Sequence, residues 1–480
     1  MSYTSTTLRS VALRIGAEWV ETAETDTIRL PYDGTPVATA ARGTRELLGR
    51  AIASARAAAP VMAALANYER AELLERIAAL LRRDAPEFAE LISQETGRPI
   101  VEARAEVERG LTTLAASAAA ARDLHGEVVP MDAVAAGAGH LAMTVREPVG
   151  VIGIITPFNI PLNLALHKLG PALAGGNAVV HKPSEQTPLS AWRLAKAVEE
   201  AGAPAGAYNV VMGLGRDIGT ALVEAEGVDM ITFTGSIATG EWIRAHAGLK
   251  KVTLELGGNS AVILEPDADL DTAIPRLVQG GYGHSGQLCI SVQRVYAHAS
   301  IAKSVTDRLV AAVERLKVGH PSESSTAVSS LISVAAATRV EQWTQDAVER
   351  GGKLLTGGKR SGATITPGVL AEVPASARLM QQELFGPLVA VNSYERLDAA
   401  VAAVNSTPYG LQAGIFTQHL QRAFAIARKL HAGGVLINDV PTFRSDPMPY
   451  GGVKRSGIGR EGPRYALEEM TDPKLIVWRV

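Results

Sequence analysis

Residues 149–156 read VGVIGIIT, and this uncharged run rich in β-branched side chains begins the stretch that decides the fold. Four further strand-like runs follow, each separated from the next by a segment of helical character: NAVVHKP (177–183), YNVVMG (208–213), DMITFTGS (229–236) and KVTLELGG (251–258). Strands that alternate with helices form parallel sheets with right-handed crossovers, and buried parallel strands are largely apolar along their length. Residues 149–258 therefore predict a doubly wound, Rossmann-type α/β unit.

The alternation restarts after Gly258 and predicts a second α/β unit. NSAVILEP (259–266) and SVQRVYAHAS (291–300) read as strands, whereas 300–316 and 397–406 read as helices. Upstream of the first unit, the Ala-, Leu-, Glu- and Arg-rich residues 43–122 carry helical periodicity, and 127–145 resemble a Gly-rich hairpin or arm. The final residues, PKLIVWRV (473–480), read as a strand without a partner nearby in sequence. We predict that this strand pairs with another subunit.

Composition and charge exclude several classes of partner. The chain has 480 residues, a net charge of −2 and no long basic block, which argues against nucleic-acid binding. Its most apolar stretch, 149–180, contains three prolines and Lys168, which argues against a membrane span. One cysteine can form neither an internal disulfide nor a thiolate metal cluster, and the histidines lack metal-ligand spacing. With an N-terminus that lacks a secretory pattern, these features predict a cytoplasmic protein without a metal.

Three residues are candidates for catalysis. Cys289 lies in HSGQLCIS (284–291), where nearby glycines and polar residues favour a reactive thiol over a buried, inert one. Glu255 ends an apolar strand, where a partly buried carboxylate has a raised pKa and can act as a general base; a solvated strand-end glutamate is the alternative. Asn159, in TPFNIP, lies between two prolines that fix the backbone, so its amide can serve as an oxyanion donor; a turn asparagine is the more common alternative.

Two segments suggest a dinucleotide. GSIATG (235–240) follows a strand and opens a helix, an arrangement that places a pyrophosphate near a helix N-terminus, although it is not the G-x-G-x-x-G pattern. Lys182 and Glu185 lie in HKPSEQTP (181–188), directly after a strand, where they suit ribose hydroxyls; a solvated loop is the alternative.

Together, seven ordered motifs resemble the aldehyde dehydrogenase superfamily from about residue 20 to the end. They are TPFNIP, KPSEQTP, FTGS followed by Gly240, LELGG, GQLC, ELFGP and PYGGVKRSGIGREG. The segment NDVPTFRSDPMPYGG (438–452) looks most like the branch of lactaldehyde, glyceraldehyde and phosphonoacetaldehyde enzymes. The chain departs from the family pattern at Phe158, which is often Trp, and at His284, which is often Asn.

The resemblance implies a role for each matching residue. Cys289 would be the nucleophile, Asn159 and the Cys289 backbone amide would form the oxyanion hole, and Glu255 would activate the hydrolytic water. The implied cofactor contacts are Lys182 and Glu185 for the adenosine ribose, Gly235, Ser236 and Gly240 for the pyrophosphate region, Glu383 and Phe385 for the nicotinamide ribose and ring, and Ile155, Thr156, Phe158 and Leu256 for the remaining wall. Because the Glu185 carboxylate accepts both ribose hydroxyls and repels a 2′-phosphate, NAD is expected in preference to NADP.

The resemblance also implies three parts and a homo-oligomer. These are an NAD-binding domain (1–122 and 146–256), a catalytic domain (257–455) and an oligomerisation arm (123–145 and 463–480), in a homodimer or homotetramer. The aldehyde entrance would be lined by Ile160, Leu164, His167, Leu288, Ile290 and Phe443. Small hydroxyaldehydes and medium-sized aliphatic or aromatic aldehydes both fit this wall. The wall is mostly apolar, with His167 and Arg444 as its candidate polar points. An anionic substrate would need an arginine cluster, and Arg444 alone is not one, since an exposed arginine is usually solvated.

Two alternative functions remain open at this stage. A coenzyme-A-acylating dehydrogenase of the same fold would pass the thioester to a thiol, although Glu255 favours water as the acceptor. A noncatalytic dinucleotide-binding protein would keep the fold without the chemistry, although all the presumed catalytic residues are present.

Overall fold

The structure, a computed structural model, describes residues 8–480, so the first seven residues of the predicted NAD-binding domain lie outside the described residues. Its strands are β1 (Arg9–Val11), β2 (Leu13–Ile15), β3 (Glu18–Val20), β4 (Thr25–Arg29), β5 (Pro36–Ala41), β6 (Val128–Val129), β7 (His140–Pro148), β8 (Val151–Ile155), β9 (Ala178–Lys182), β10 (Tyr208–Val210), β11 (Met230–Thr234), β12 (Lys251–Glu255), β13 (Ser260–Leu264), β14 (Val292–His298), β15 (Lys353–Thr356), β16 (Arg360–Ser361), β17 (Thr364–Ile365), β18 (Gly368–Ala371), β19 (Leu388–Tyr394), β20 (Gln412–Phe416), β21 (Gly434–Ile437), β22 (Gly457–Ile458) and β23 (Thr471–Arg479).

The α-helices are α1 (Arg45–Ala64), α2 (Asn67–Arg83), α3 (Ala85–Thr96), α4 (Ile100–Arg122), α5 (Pro161–Ala174), α6 (Leu189–Glu200), α7 (Thr220–Glu224), α8 (Ile237–His246), α9 (Leu270–Tyr282), α10 (Ala299–Val313), α11 (Val334–Glu349), α12 (Arg378–Gln381), α13 (Leu397–Asn405), α14 (Leu420–Lys429) and α15 (Pro463–Glu469). The helical prediction for residues 43–122 is therefore confirmed by α1 to α4.

The five strands predicted between residues 149 and 258 all form and lie side by side. Their order is β12-β11-β8-β9-β10, and every neighbouring pair is parallel. Among these five strands the chain starts in the middle at β8, continues to β10 on one side, and returns to form β11 and β12 on the other. Strand β22 extends the sheet beyond β12, and β2 and β3 extend it beyond β10. The predicted doubly wound α/β class is confirmed, and the switch of direction between β8 and β11 is where such sheets bind ligands.

Helix α5 is buried over its whole length between the strands β8 and β9 and the helix α4. Its sequence is apolar on all sides, as expected for a helix inside a core. One buried residue of α5, Lys168, carries an ammonium group, and a buried ammonium group requires a partner of opposite charge. That requirement brings Lys168 into the functional site.

The second α/β unit is built on a seven-stranded sheet of order β15-β18-β19-β14-β13-β20-β21. All neighbours are parallel except the edge pair β15 and β18. Successive side chains of β13 enter separate cores on the two faces of the sheet: Ile263 belongs to one, Val262 and Leu264 to the other. The predicted second α/β unit is confirmed.

The strands β6, β7 and β23 form a separate three-stranded sheet, which we call the arm. Strand β23 pairs antiparallel with β7 from Thr471–Pro148 to Arg479–His140, within one chain. The strand thus finds one partner within its own chain, while its other edge is unpaired among the described residues, so pairing of that edge with another subunit stays a prediction. A strand partner far away in sequence satisfies the backbone hydrogen bonds that sequence neighbours could not.

The C-terminal limit of the arm also differs from the sequence prediction. The predicted arm segment 463–480 includes α15, but Ala466 and Leu467 of that helix are buried in the core of the first unit. Because apolar burial there ties α15 to the first unit, the arm contribution of this segment begins at Thr471.

The two large sheets are joined by four residues, Leu256 to Asn259, between β12 and β13. At Gly258 the chain passes so close to the cysteine loop that a Cβ atom would lie 2.2 Å from the Cys289 carbonyl oxygen. Only glycine permits this backbone approach. The end of β12, with Glu255, is thereby held beside the cysteine loop.

Among the described residues, no helix is both long and apolar enough to span a membrane.

Candidate active site

A cavity of about 620 Å³ lies where the carboxyl end of the first sheet meets the second unit. Cys289, Asn159 and Glu255, the three candidates from sequence, all line it. Parallel α/β sheets present ligands at this edge, so the position agrees with the topology. The cavity is therefore the candidate active site.

Cys289 lies on a loop with an unusual backbone. His284 and Ser285 have φ values of 48° and 55°, in the left-handed region that non-glycine residues rarely adopt. The Cys289 sulfur lies 3.1 Å from the Tyr450 hydroxyl. Burial raises the pKa of Cys289 to about 12, and the hydrogen bond with Tyr450 counteracts part of this rise. A thiolate at this position therefore depends on nearby donors.

The Asn159 side chain is buried and its orientation is fixed by two hydrogen bonds. Its Oδ1 accepts from the backbone N–H of Ile160 at 3.1 Å, and its Nδ2 donates to the carbonyl of Gln287 at 2.8 Å. One N–H of the amide group is left to donate to a ligand in the cavity. A donor held in advance in this way can stabilise an oxyanion.

Glu255 is only 3% exposed, and neither of its carboxylate oxygens has a hydrogen-bond partner. Burial, reinforced by the negative charge of Glu461, raises its pKa well above the usual range. A carboxylate with free lone pairs and a raised pKa is suited to take a proton from water.

Glu461 lies in a buried ion cluster behind Glu255. It pairs with the ammonium group of Lys168, and its Oε2 lies 3.0 Å from Nη2 of Arg444. Lys168 also donates to the hydroxyl of Thr234 at 2.7 Å. Burial opposes ionisation of Glu461, but the charges of Lys168 and Arg444 outweigh it and lower its pKa. Glu461 therefore stays ionised, which favours the protonated form of Glu255.

The parallel register places the predicted cofactor residues along one edge of the first sheet. Glu255 is opposite Thr234, Phe233 is opposite Ile155, and Ile155 is opposite Lys182. Gly235, Ser236, Thr156 and Leu256 directly follow these positions. The predicted cofactor residues therefore lie in a line from Glu255 past the start of α8 to Lys182. A dinucleotide is an extended molecule and fits such a line.

The far end of that edge is separate from the main cavity. Nζ of Lys182 lies 3.2 Å from the carboxylate of Glu185, whose side chain is 46% exposed. Neither residue lines the cavity around Cys289. The exposed Glu185 carboxylate can accept hydrogen bonds from a sugar.

The start of α8 combines a cap with close packing. The Ser236 hydroxyl accepts from the backbone N–H of Thr239 at 3.3 Å. A Cβ atom at Gly240 would lie 2.5 Å from the Leu256 side chain, so this glycine lets the helix pack tightly against the end of β12. The N-terminus of a ten-residue helix thus faces the cleft, where its free amides suit a pyrophosphate.

Phe158, Phe385 and Glu383 border the cavity close to the catalytic candidates. The two phenylalanine rings meet edge to face at 5.9 Å, and Phe385 has a φ of 55°. Glu383 accepts from the backbone N–H of Gly258 at 3.0 Å, and burial raises its pKa to about 7. This carboxylate can therefore hold hydroxyl groups of a ligand beside the two rings.

Of the six residues predicted to line the aldehyde entrance, five line the cavity and one does not. Ile160, Leu164, Leu288, Ile290 and Phe443 line the cavity. His167 does not: its ring is fully buried, with Nε2 3.2 Å from Asp446, and burial lowers its pKa to about 4.

Arg444 is not the solvated side chain that the sequence suggested. It is buried against Glu461, and its guanidinium carbon lies 3.8 Å from the centre of the Tyr450 ring. Arg109 of α4, which the sequence analysis missed, lines the same cavity. Burial and the like charge of Arg444 lower the pKa of Arg109. Arg109 and Arg444 therefore lie near each other in the cavity wall, to which Arg98, Arg276 and Arg339 also belong.

Within residues 8–480, no cluster of three or more potential metal-binding side chains occurs.

Two α/β units hold a thiol, an amide and a carboxylate at their junction, beside a sheet edge that suits a dinucleotide. This arrangement is that of a dinucleotide-dependent oxidoreductase, and similarity to known proteins identifies the family. The aldehyde dehydrogenase family model matches residues 19–476. The chain belongs to the aldehyde dehydrogenase family, and it is an oxidoreductase that oxidises aldehydes to acids.

Relatives of known activity are similar over nearly the whole chain. A 3-sulfolactaldehyde dehydrogenase from Priestia aryabhattai is 46% identical over 472 residues, which covers 98% of each chain. A lactaldehyde dehydrogenase from Methanocaldococcus jannaschii is 41% identical over 470 residues, with 96% of this chain and 99% of the relative covered. The branch suggested by residues 438–452 is confirmed.

The fold is also shared with solved structures. Aldehyde dehydrogenase 21 from Physcomitrella patens, in complex with the reaction product succinate, has a TM-score of 0.96 at 39% identity, with 98% of this chain and 99% of that chain covered. The NADP-dependent glyceraldehyde-3-phosphate dehydrogenase from Bacillus halodurans, complexed with NADP, has a TM-score of 0.96 at 36% identity, with coverages of 98% and 99%.

Proposed function

We propose that the protein oxidises an aldehyde with NAD through a thioester on Cys289, and that Glu255 directs hydrolysis of this thioester. The observation that carries the proposal is the meeting of Cys289, the oriented amide of Asn159 and the unpaired carboxylate of Glu255 in one cavity.

In this mechanism the Cys289 thiol loses its proton to solvent, its sulfur bonds to the aldehyde carbon, and the carbonyl oxygen becomes an alkoxide. The free N–H of Asn159 and the Cys289 backbone amide stabilise that charge; one such donor contributes about 3–4 kcal/mol in comparable sites. A bound dinucleotide would supply the hydride acceptor that converts this adduct into the thioester, and Glu383 and Phe385 would hold its nicotinamide end beside Cys289. Glu255 then removes a proton from water, the water oxygen bonds to the acyl carbon, and the carbon–sulfur bond breaks.

Water, rather than coenzyme A, is the proposed acyl acceptor, because both oxygens of Glu255 are free to bind and deprotonate it. We expect one equivalent of carboxylic acid per dinucleotide reduced when coenzyme A is absent, measured by chromatography and NADH absorbance. A burst of NADH that continues into turnover only after coenzyme A is added would favour the acylating alternative. A flat absorbance trace across a broad aldehyde panel, despite NAD binding, would favour the noncatalytic one.

Lys182 and Glu185 would hold the adenosine ribose of the cofactor. The start of α8 would hold the pyrophosphate, with Gly235, Ser236 and Gly240. Glu383 and Phe385 would hold the nicotinamide ribose and ring, and the cleft would be completed by Ile155, Thr156, Phe158 and Leu256. The exposed Glu185 carboxylate favours NAD, since it accepts ribose hydroxyls and repels a 2′-phosphate. Equal kcat/KM values with NAD and NADP would contradict this preference.

We also propose that the substrate carries an anionic group. Arg109 and Arg444 line the same cavity, where Arg109 pairs with Asp446 and Arg444 pairs with Glu461. Nε of Arg444 is buried without a hydrogen-bond partner, and Nη2 of Arg109 has only a long ion pair, 3.5 Å from Asp446. Arginine groups with free donors suit a carboxylate or sulfonate. The relative named for 3-sulfolactaldehyde and the neighbour that binds succinate support this substrate class.

Arg109→Gln should therefore discriminate between substrates by charge. We expect kcat/KM for succinic semialdehyde to fall about 10- to 100-fold, because a charge-assisted contact contributes about 1.5–3 kcal/mol. The value for butyraldehyde, which has the same carbon number, should change little. Arg104→Gln, an exposed arginine on the same helix, is the matched control. Equal losses on both aldehydes would refute a charge-reading role for Arg109.

The parts of the chain are assigned by the same proposal. Residues 1–122 and 146–256 would bind NAD, 257–455 would supply the thiol, and the arm would join subunits of a homodimer or homotetramer. The arm exposes large apolar side chains on β7 and β23, including Leu141, Met143, Leu475 and Trp478. Exposed apolar patches of this kind mark association surfaces, and light scattering of the purified protein measures the assembly. The single cysteine fits a reducing compartment such as the cytoplasm.

A further inference from the structure

Tyr450 forms a side-chain hydrogen bond with the proposed nucleophile, although the sequence motifs gave it no role. Its side chain lines the cavity, is 3% exposed, and places its hydroxyl oxygen 3.1 Å from the Cys289 sulfur. The next residue, Gly451, packs against the proposed base: a Cβ atom there would lie 2.9 Å from Oε1 of Glu255. One short segment therefore touches both reacting groups of the chain.

The position of Tyr450 is fixed from two directions. Its backbone N–H donates to the carbonyl of Glu461 at 2.9 Å, and its carbonyl accepts from the Glu461 N–H at 2.6 Å. The carboxylate of Glu461 binds Arg444, and the guanidinium group of Arg444 stacks on the Tyr450 ring at 3.8 Å. The bridge holds the Tyr450 backbone and Arg444 covers one face of its ring, so a turn of the phenol away from the sulfur would lose the stack on Arg444.

The direction of the hydrogen bond follows from the surroundings. Burial raises the pKa of Tyr450 well above its usual value, and the adjacent Cys289 adds to this effect. The phenol therefore keeps its proton at working pH, and once the thiol has lost its own proton, only the phenol can be the donor of this hydrogen bond. The other charged groups that face the sulfur are Glu383, Glu255 and Arg444, and of these only Arg444 favours a thiolate.

We propose that Tyr450 is a further catalytic residue, whose hydroxyl donates a hydrogen bond to the Cys289 sulfur and stabilises the thiolate that attacks the aldehyde. Phenylalanine would fill the same volume and stack equally on Arg444, so packing alone does not require the hydroxyl. A hydrogen bond to a charged acceptor is about twice as strong as one between neutral groups, which is why the bond matters most after the thiol has lost its proton. The proposal rests on Cys289 being the nucleophile.

Tyr450→Phe tests this role through the sulfur itself. Because Cys289 is the only cysteine, the rate of iodoacetamide alkylation, followed by intact mass, reports on this thiol alone. We expect the pKa read from the pH dependence of alkylation to rise by about one unit, which corresponds to about a tenfold loss of thiolate at a pH below both pKa values. The kcat/KM for aldehyde should fall by a similar factor, with the dissociation constant for NAD unchanged.

Tyr394→Phe is the matched control, since it removes a hydroxyl that is 6% exposed and lies in the core of the second unit. It should leave the alkylation profile of Cys289 as in the unmodified protein. An unchanged alkylation pKa in Tyr450→Phe, with circular dichroism showing a folded protein, would overturn the proposal. If instead Cys289→Ala retained turnover, the proposed function would fail, while the alkylation profile would still decide whether Tyr450 stabilises the thiolate.

Discussion

Replacement of Cys289 by alanine is expected to reduce steady-state turnover by at least about a thousandfold, because no other group in the cavity can form the acyl intermediate. The loss should appear in kcat with every aldehyde, whether charged or neutral. Removal of one sulfur atom leaves the edge from Ser236 to Lys182 intact, so the NAD dissociation constant should stay close to that of the unmodified protein. Stopped-flow absorbance for turnover and fluorescence titration for binding measure the two quantities separately.

Cys289→Ser provides the conservative comparison, since a hydroxyl occupies the same place but is a much weaker nucleophile near neutral pH. It should be nearly as inactive as the alanine variant. Substantial steady-state activity in Cys289→Ala would contradict the thioester mechanism.

Replacement of Glu255 by glutamine should separate the two halves of the reaction. Loss of the base is expected to slow hydrolysis about a hundredfold or more. Formation of the thioester does not need this base, so one equivalent of NADH per active site should still appear rapidly before turnover stalls. Rapid-mixing absorbance measures the amplitude of this burst, and mass spectrometry of the quenched protein should find the acyl group on Cys289.

The unmodified enzyme should show the same dependence through pH. Glu255 must be deprotonated to accept a proton, and its pKa is raised, so hydrolysis should decline with falling pH at values well above the usual range for a glutamate. This acid limb should disappear in Glu255→Gln.

Glu265→Gln is a matched control, because Glu265 has the same 3% exposure but lies in the second unit, bound to Tyr394 and Arg422. It should retain hydrolysis. Absence of an NADH burst in Glu255→Gln would contradict the assignment, since it would place Glu255 before the thioester rather than after it.

The sheet of the first unit was predictable because its information is local. The runs at 149–156, 177–183 and 251–258 are apolar enough to be buried on both faces, and glycines mark their ends. The terminal strand was not, because its partner β7 is distant in sequence and no local pattern records the register of Thr471 with Pro148. Likewise, α15 carries apolar residues, but only the fold shows which core receives them.

The site divides in the same way. Cys289, Glu255 and Asn159 are recognisable from residues beside them, and the structure gathers them around one cavity. Arg109 lies on a helix far upstream and looks like any surface arginine, so its place in the wall depends on how α4 packs. Arg444 was misjudged as solvated, because burial of its charge depends on Glu461 and on the ring of Tyr450. Charge networks built from separated segments leave little trace in sequence.

The close backbone approach at Gly258 has a consequence for how such an enzyme can diverge. Glu255 and Cys289 are held relative to each other by a contact between two backbone segments, at Gly258 and Cys289. A substitution that adds a side chain at Gly258 would disrupt this contact. The part of the cavity wall proposed to contact the remainder of the substrate comes from different segments, namely α4 and the loop that carries Phe443 and Arg444. Mutation can therefore alter substrate recognition in steps while the reaction centre is inherited unchanged, so that one ancestral reaction can give rise to many specificities.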